Sequence, residues 1–98
     1  MWNKLLKDLG ISHQSDLDEN AIEKLYLINN DKSPFEFVVG LIMGSCNYSK
    51  DKAIEIAKTA HYENKSLLIE DYINKIERIK FIFKKYGIDT ETYKGEIE

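Results

Sequence analysis

The chain has 98 residues, of which 43% are hydrophobic, and a formal net charge of −3 with a pI near 5.4. That supports one domain with one small core, and the acidic balance argues against a general nucleic-acid binder. The single cysteine, Cys46, excludes an intrachain disulfide and a cysteine-rich metal site and fits a reducing compartment, and no apolar run approaches the ~20 residues needed to span a bilayer.

Met1-Trp2-Asn3-Lys4-Leu5-Leu6 lacks the apolar core and small-residue cleavage site of a signal peptide. Trp2, Leu5, Leu6 and Leu9 recur at helical spacing, and Gly10 can end such a helix. This short stripe either packs on the domain or docks on a partner. Ser12 to Glu23 is polar and acidic, with Asp16, Asp18, Glu19 and Glu23, and reads as a linker. Residues 1–23 therefore form an extension and 24–98 the domain. Lys24 to Asn29 contains the branched and aromatic run Leu25-Tyr26-Leu27-Ile28, which predicts a strand. Asn29-Asn30-Asp31 is a polar turn cluster. Ser33 can then cap a helix, Pro34 fits its first position, and Glu36 can complete a capping box.

That helix should run from Pro34 to Cys46. Phe35, Val38, Val39, Ile42 and Cys46 make one apolar stripe, and Phe37 and Leu41 a second, so burial on nearly all sides is expected. Gly44 is its weak point. After a turn at Asn47-Tyr48-Ser49, Ser49 can cap a second helix from Lys50 to Tyr62. Ala53, Ala57, Ala60 and His61 share a face of it, with Ile54 at the edge. Asn64 suits the left-handed turn that closes this helix. Ser66-Leu67-Leu68-Ile69 predicts a second strand, and Asp71 the cap of a third helix with Tyr72, Ile76, Ile79, Phe83 and Tyr86 as its stripe. Gly87 followed by Ile88 stops it. Alternation over Thr92 to Ile97 predicts an edge strand. The order is β-α-α-β-α-β, an α+β domain in which a three-stranded antiparallel sheet packs against three helices. The strand–turn–helix corner sets polar side chains beside the apolar first turn of a helix. It suits a ligand that is polar at one end and apolar at the other.

Leu27-Ile28-Asn29-Asn30-Asp31-Lys32-Ser33-Pro34-Phe35-Glu36-Phe37-Val38-Val39 resembles the "LLNDDYTPMEFVV" signature of the ClpS family, adaptors of bacterial Clp proteases. Ala60-His61-Tyr62-Glu63-Asn64-Lys65 is similar to the family's "VHxxGK", at matching separation, and Glu77 matches a family glutamate in the third helix. The resemblance spans about Lys24 to Ile97. It implies the same β-α-α-β-α-β topology, shared with the C-terminal domain of the ribosomal stalk protein L7/L12. It also implies an adaptor that binds the N-terminal residue of N-degron substrates and passes them to a Clp-type AAA+ unfoldase.

An α-ammonium is a cation with three donors, so its site needs acceptors and preferably one negative charge. The family positions that bind it correspond to Asn29, Asp31 and His61: an amide oxygen, a carboxylate and, when neutral, an imidazole lone pair. The first Asp of the family's NDD motif is Asn30 here, which weakens the local negative field. The resemblance implies a side-chain pocket of Ile28, Ser33, Phe35, Val38, Ala57 and Ala60. Phe35 stands where the family has Met, Ser33 where it has Thr, Ala57 where it has Met, and Ala60 where it has Val. Two changes remove bulk and one adds it, so the choice among Leu, Phe, Tyr and Trp is expected to differ.

Plainer readings stand beside these. Asn29 and Asp31 serve equally as turn residues, and His61 as a helix-end histidine. Cys46 with His61 invites a nucleophile–base reading, but no oxyanion or orienting group accompanies them. Lys75, Arg78, Lys80, Lys84 and Lys85 make the third helix basic, which suits a solvated helix end or an acidic partner patch. The reading is a cytoplasmic bacterial adaptor, with the plastid stroma as the alternative. It is expected to be monomeric, not an enzyme, without cofactor or metal, and without nucleic-acid or membrane partners. Its partners would be N-degron substrates and the N-terminal domain of a ClpA/ClpC-type unfoldase. Two other classes remain open: a ClpS-like interaction domain without amine recognition, and a ribosomal stalk-like domain.

Overall fold

Apolar residues at alternate positions give Ile22–Ile28 one buried face, carried by Leu25 and Leu27, and this segment forms β1. The structure, a computed structural model, describes residues 21–94. After β1 come α1 (Phe35–Cys46), α2 (Lys50–Glu63), β2 (Lys65–Tyr72), α3 (Ile73–Lys85) and β3 (Thr90–Lys94). The strands form a three-stranded antiparallel sheet, as expected, and their order β2-β1-β3 puts β1 at its centre. The helix predicted at Trp2–Leu9 lies outside the described residues, as do the last residues of the predicted Thr92–Ile97 strand.

Register explains the core. Leu25 pairs with Ile69 but Tyr26 with Leu67, so Leu68 is the extra residue of a bulge. The bulge lets Leu68 and Ile69, consecutive in sequence, both turn inward. The Leu68 carbonyl accepts a hydrogen bond of 2.8 Å from the Tyr48 hydroxyl. Burial pushes the Tyr48 phenol up, with smaller contributions from Cys46 and Asp71. On this sheet face lie Val38, Val39 and Ile42 of α1, Ala53, Ile56, Ala57 and Ala60 of α2, and Ile76, Ile79 and Phe83 of α3.

Several local expectations are corrected. β1 begins at Ile22, drawing Ile22 and Glu23 out of the expected extension: Ile22 pairs with Tyr72, and Glu23 with both Asp71 and Lys94. Ser33 does not cap α1. Pro34 occupies that position without a side-chain bond, because Ser33 Oγ instead accepts from Asn30 Nδ2 at 3.3 Å. Asp71 lies in β2 rather than capping α3; its carboxylate accepts from the Tyr72 amide at 2.7 Å. α1 is not buried all round: Phe35 and Phe37 stay 43% and 41% exposed. In α2 Ile54 stays half-buried at the edge, as expected, while Ile56, which the sequence did not single out, is buried, and His61 is exposed where it borders the same cavity as Ala57 and Ala60. The α3 stripe narrows to Ile76, Ile79 and Phe83, with Tyr72 and Tyr86 exposed. Ser49 does cap α2, accepting from Lys52 at 3.2 Å, and Gly87 (φ 78°) closes α3 with Ile88 buried behind it.

Candidate functional site

Two chain reversals build the site. β1 ends at Ile28, and the next amide, Asn29, donates to the Asn64 carbonyl at 2.9 Å. Asn64 has φ 75°, a conformation Asn tolerates, and it ends α2 one turn after His61. The end of the central strand is thereby tied to the end of α2. Asn30 then closes the loop: its Oδ1 accepts from the Lys32 amide at 2.7 Å, while its Nδ2 donates to Ser33. A carboxylate at position 30 could accept the first bond but could not donate the second.

Between these reversals and α1 lies a cavity of about 510 Å³. All nine residues singled out from the sequence line it: Ile28, Asn29, Asp31, Ser33, Phe35, Val38, Ala57, Ala60 and His61. The structure adds Leu27, Asn30, Lys58 and Tyr62. Lys58 and Tyr62 were legible in principle, since they stand four apart on α2 and flank His61. Leu27 was hidden by its role in the core.

The cavity has an apolar depth and a polar rim. Leu27, Val38, Ala57 and Ala60 are buried and bring no polar side-chain atom. Asp31 and His61 are exposed, and Asn29 is half-buried. Among the described residues, no hydrogen bond engages the side chains of Asn29, Asp31 or His61, so their acceptor atoms remain available. Asp31 is the one carboxylate of the lining and Lys58 the one ammonium. The C-terminal end of α2 favours a cation and the N-terminal end of α1 disfavours one. The formal charges of Asp31 and Lys58 offset, and Asp31 is the one lining group that can form an ion pair with a cation. The His61 and Tyr62 rings meet edge-on, with centroids 5.0 Å apart.

Cys46 is outside this lining, and burial pushes its thiol up, which keeps it protonated. A Cys46–His61 nucleophile pair is therefore not formed. Among the described residues no group of His, Cys, Asp and Glu is arranged to hold a metal ion. On the outer face of the sheet, Lys65 donates to the Tyr93 hydroxyl, which donates to Glu91, each at 2.7 Å. The bond to Tyr93 raises the Lys65 ammonium above its ordinary range, and the bond from Tyr93 lowers the Glu91 carboxyl.

Comparison with known proteins places this geometry. The family model for "ATP-dependent Clp protease adaptor protein ClpS" matches residues 19–82. The ATP-dependent Clp protease adapter protein ClpS of Escherichia fergusonii is 32% identical over 47 residues, which is 48% of this chain and 44% of that protein. The match thus spans less than half of that relative's length. Agrobacterium tumefaciens ClpS2, solved bound to L-phenylalaninamide, superposes with a TM-score of 0.66 at 21% identity, over 78% of this chain and 99% of that one. At that identity the likeness establishes the fold.

Proposed function

The chain belongs to the ClpS family of ATP-dependent Clp protease adaptor proteins, and from that premise we propose that its cavity binds the free α-amine and bulky first side chain of a protein substrate. The observation that carries this reading is the union, in one cavity, of three unengaged acceptor groups with an alanine-floored apolar space. Asn29, Asp31 and His61 take the ammonium; Asp31 supplies the charge and the other two supply lone pairs. The first side chain passes Phe35 and descends toward Val38, Ala57 and Ala60. L-phenylalaninamide, the ligand of the Agrobacterium neighbour, carries a free amine and an aromatic side chain, the two features this cavity is suited to hold.

Ala57 and Ala60 leave room at the depth, and a small side chain there would forfeit dispersion contacts. A ring fills the space and can meet Phe35 edge-on, worth about 0.5–1.5 kcal/mol beyond area burial. Phe, Tyr and Trp at position one are therefore preferred to Leu, and Ile and Val are poor. The bound substrate is handed to the N-terminal domain of a ClpA/ClpC-type unfoldase in the cytoplasm, and the chain itself performs no catalysis. Among the described residues no helix is long and apolar enough to cross a membrane. Calorimetric titration with Phe-leading peptides, free or acetylated at the N-terminus, tests the reading. The free peptide binds and the acetylated one does not; equal binding overturns it.

A further inference from the structure

A second hollow, of about 340 Å³, runs between α1 and α3 and shares no lining residue with the cavity. Gly40 and Gly44 stand four apart on one face of α1, and a Cβ built on either meets nothing within 4 Å. Facing them are Phe81, Ile82 and Lys85 of α3 and Tyr86 at its C-terminal cap. Phe81 is 66% and Tyr86 51% exposed, and Phe37 meets the Tyr86 ring edge-on at 5.5 Å. The Ser45 hydroxyl in the lining is turned back onto its own helix, donating to the Leu41 carbonyl at 2.7 Å. What remains is an apolar groove with a cation at its end.

We propose that this groove receives the chain's own N-terminal segment, with Trp2, Leu5, Leu6 and Leu9 as the face that enters it. Three observations select this occupant. Reach comes first. The Ala21 carbonyl accepts from the Ile73 amide at 3.1 Å, so the chain leaves the described domain at the first turn of α3. The groove residues Phe81 to Lys85 lie roughly 12–18 Å further along that helix. Residues 10–20 can extend to about 36 Å, which covers the path with slack. Pattern comes second: the four apolar residues stand at i, i+3, i+4 and i+7, the spacing of one helical face about 10 Å long, against an α1 wall, Gly40 to Ser45, that rises about 7.5 Å. Charge comes third. Arg78, Ile82 and Lys85 share a line along α3 from the attachment point to the groove, and the intervening linker carries Asp16, Asp18 and Glu19. Tethering holds the segment at an effective concentration of order millimolar, so a weak intrinsic affinity suffices.

Trp2 is the sole tryptophan, which makes it a reporter in the full chain. The docked chain emits to the blue of a free indole and resists acrylamide. Gly44→Leu places a side chain in the groove where its Cβ meets no atom, and should shift the emission red and raise the quenching constant several-fold with far-UV circular dichroism unchanged. Phe81→Ser, at a side chain already exposed, should do the same if Gly44→Leu fails to fold. Full quenching of the unmodified chain overturns the proposal. So does protection that both variants leave intact, which puts Trp2 elsewhere, and so does protection lost on dilution, which makes a second copy the occupant.

Discussion

Among the described residues, two apolar hollows are partly walled by α1, and they differ in what stands at the rim. The cavity is edged by Asn29, Asp31 and His61, whose side chains make no hydrogen bonds among the described residues. The groove is edged by Lys85 and by a serine already bonded to its own helix. Apolar space alone sets only the size of what enters, because it discriminates weakly. The rim sets the chemical class proposed for each: a free cation for the cavity, an apolar helix face for the groove.

The largest expected effect removes that distinction. Asp31→Ala should weaken binding of a free-amine peptide by about 1.5–3 kcal/mol, the range for hydrogen bonds to charged groups, with little change in thermal midpoint because Asp31 is exposed. Phe81→Ser should leave that affinity unchanged in the same titration. Next is depth. Ala57→Met fills the floor, and should shift the preference from Trp-leading toward Leu-leading peptides by about 1–3 kcal/mol, read from paired titrations. Retained Trp preference would mean that the ring never reaches Ala57.

How much of this was legible follows the range of the interactions involved. The strand–turn–helix corner, the left-handed Asn64 and Gly87, and the Ser49 cap are set within a few residues, and each was readable from spacing and residue type. The nine lining residues were readable because the resemblance aligned two distant anchors; periodicity alone would not have joined Asn29 to His61. What failed was decided by competition. Ser33 had a second partner in Asn30, so it did not cap. Ile22 and Glu23 look like linker until Tyr72 and Lys94 are brought beside them. Phe35 and Phe37 look buried by hydropathy, yet Phe35 lines the open cavity and Phe37 lies edge-on against the exposed Tyr86 ring.

Smaller effects sharpen the comparison. His61 offers the ammonium an imidazole lone pair. His61→Ala should weaken binding of the free-amine peptide by about 0.5–1.5 kcal/mol in the same titration. Unchanged affinity would take His61 out of the acceptor set. The smallest effect belongs to neither hollow. Glu91 is lowered chiefly by the bond from Tyr93, so its contribution to stability is present above the ordinary carboxylate range and lost as pH falls through the lowered value. Lys65 is raised by its bond to Tyr93, so its contribution is present below the ordinary lysine range and lost as pH rises through the raised value. Both groups are exposed and screened, so Glu91→Gln should lower the thermal midpoint only slightly near neutral pH and not at all in acid, with peptide affinity unchanged.

The central claim is that the Asp31 carboxylate meets the substrate's α-amine. A two-by-two titration tests it: the unmodified protein and Asp31→Ala, each against a free and an acetylated Phe-leading peptide. Acetylation should cost the unmodified protein much more than it costs Asp31→Ala, because the variant no longer has the charge that the amine meets. The same acetylation penalty in both proteins would contradict the account.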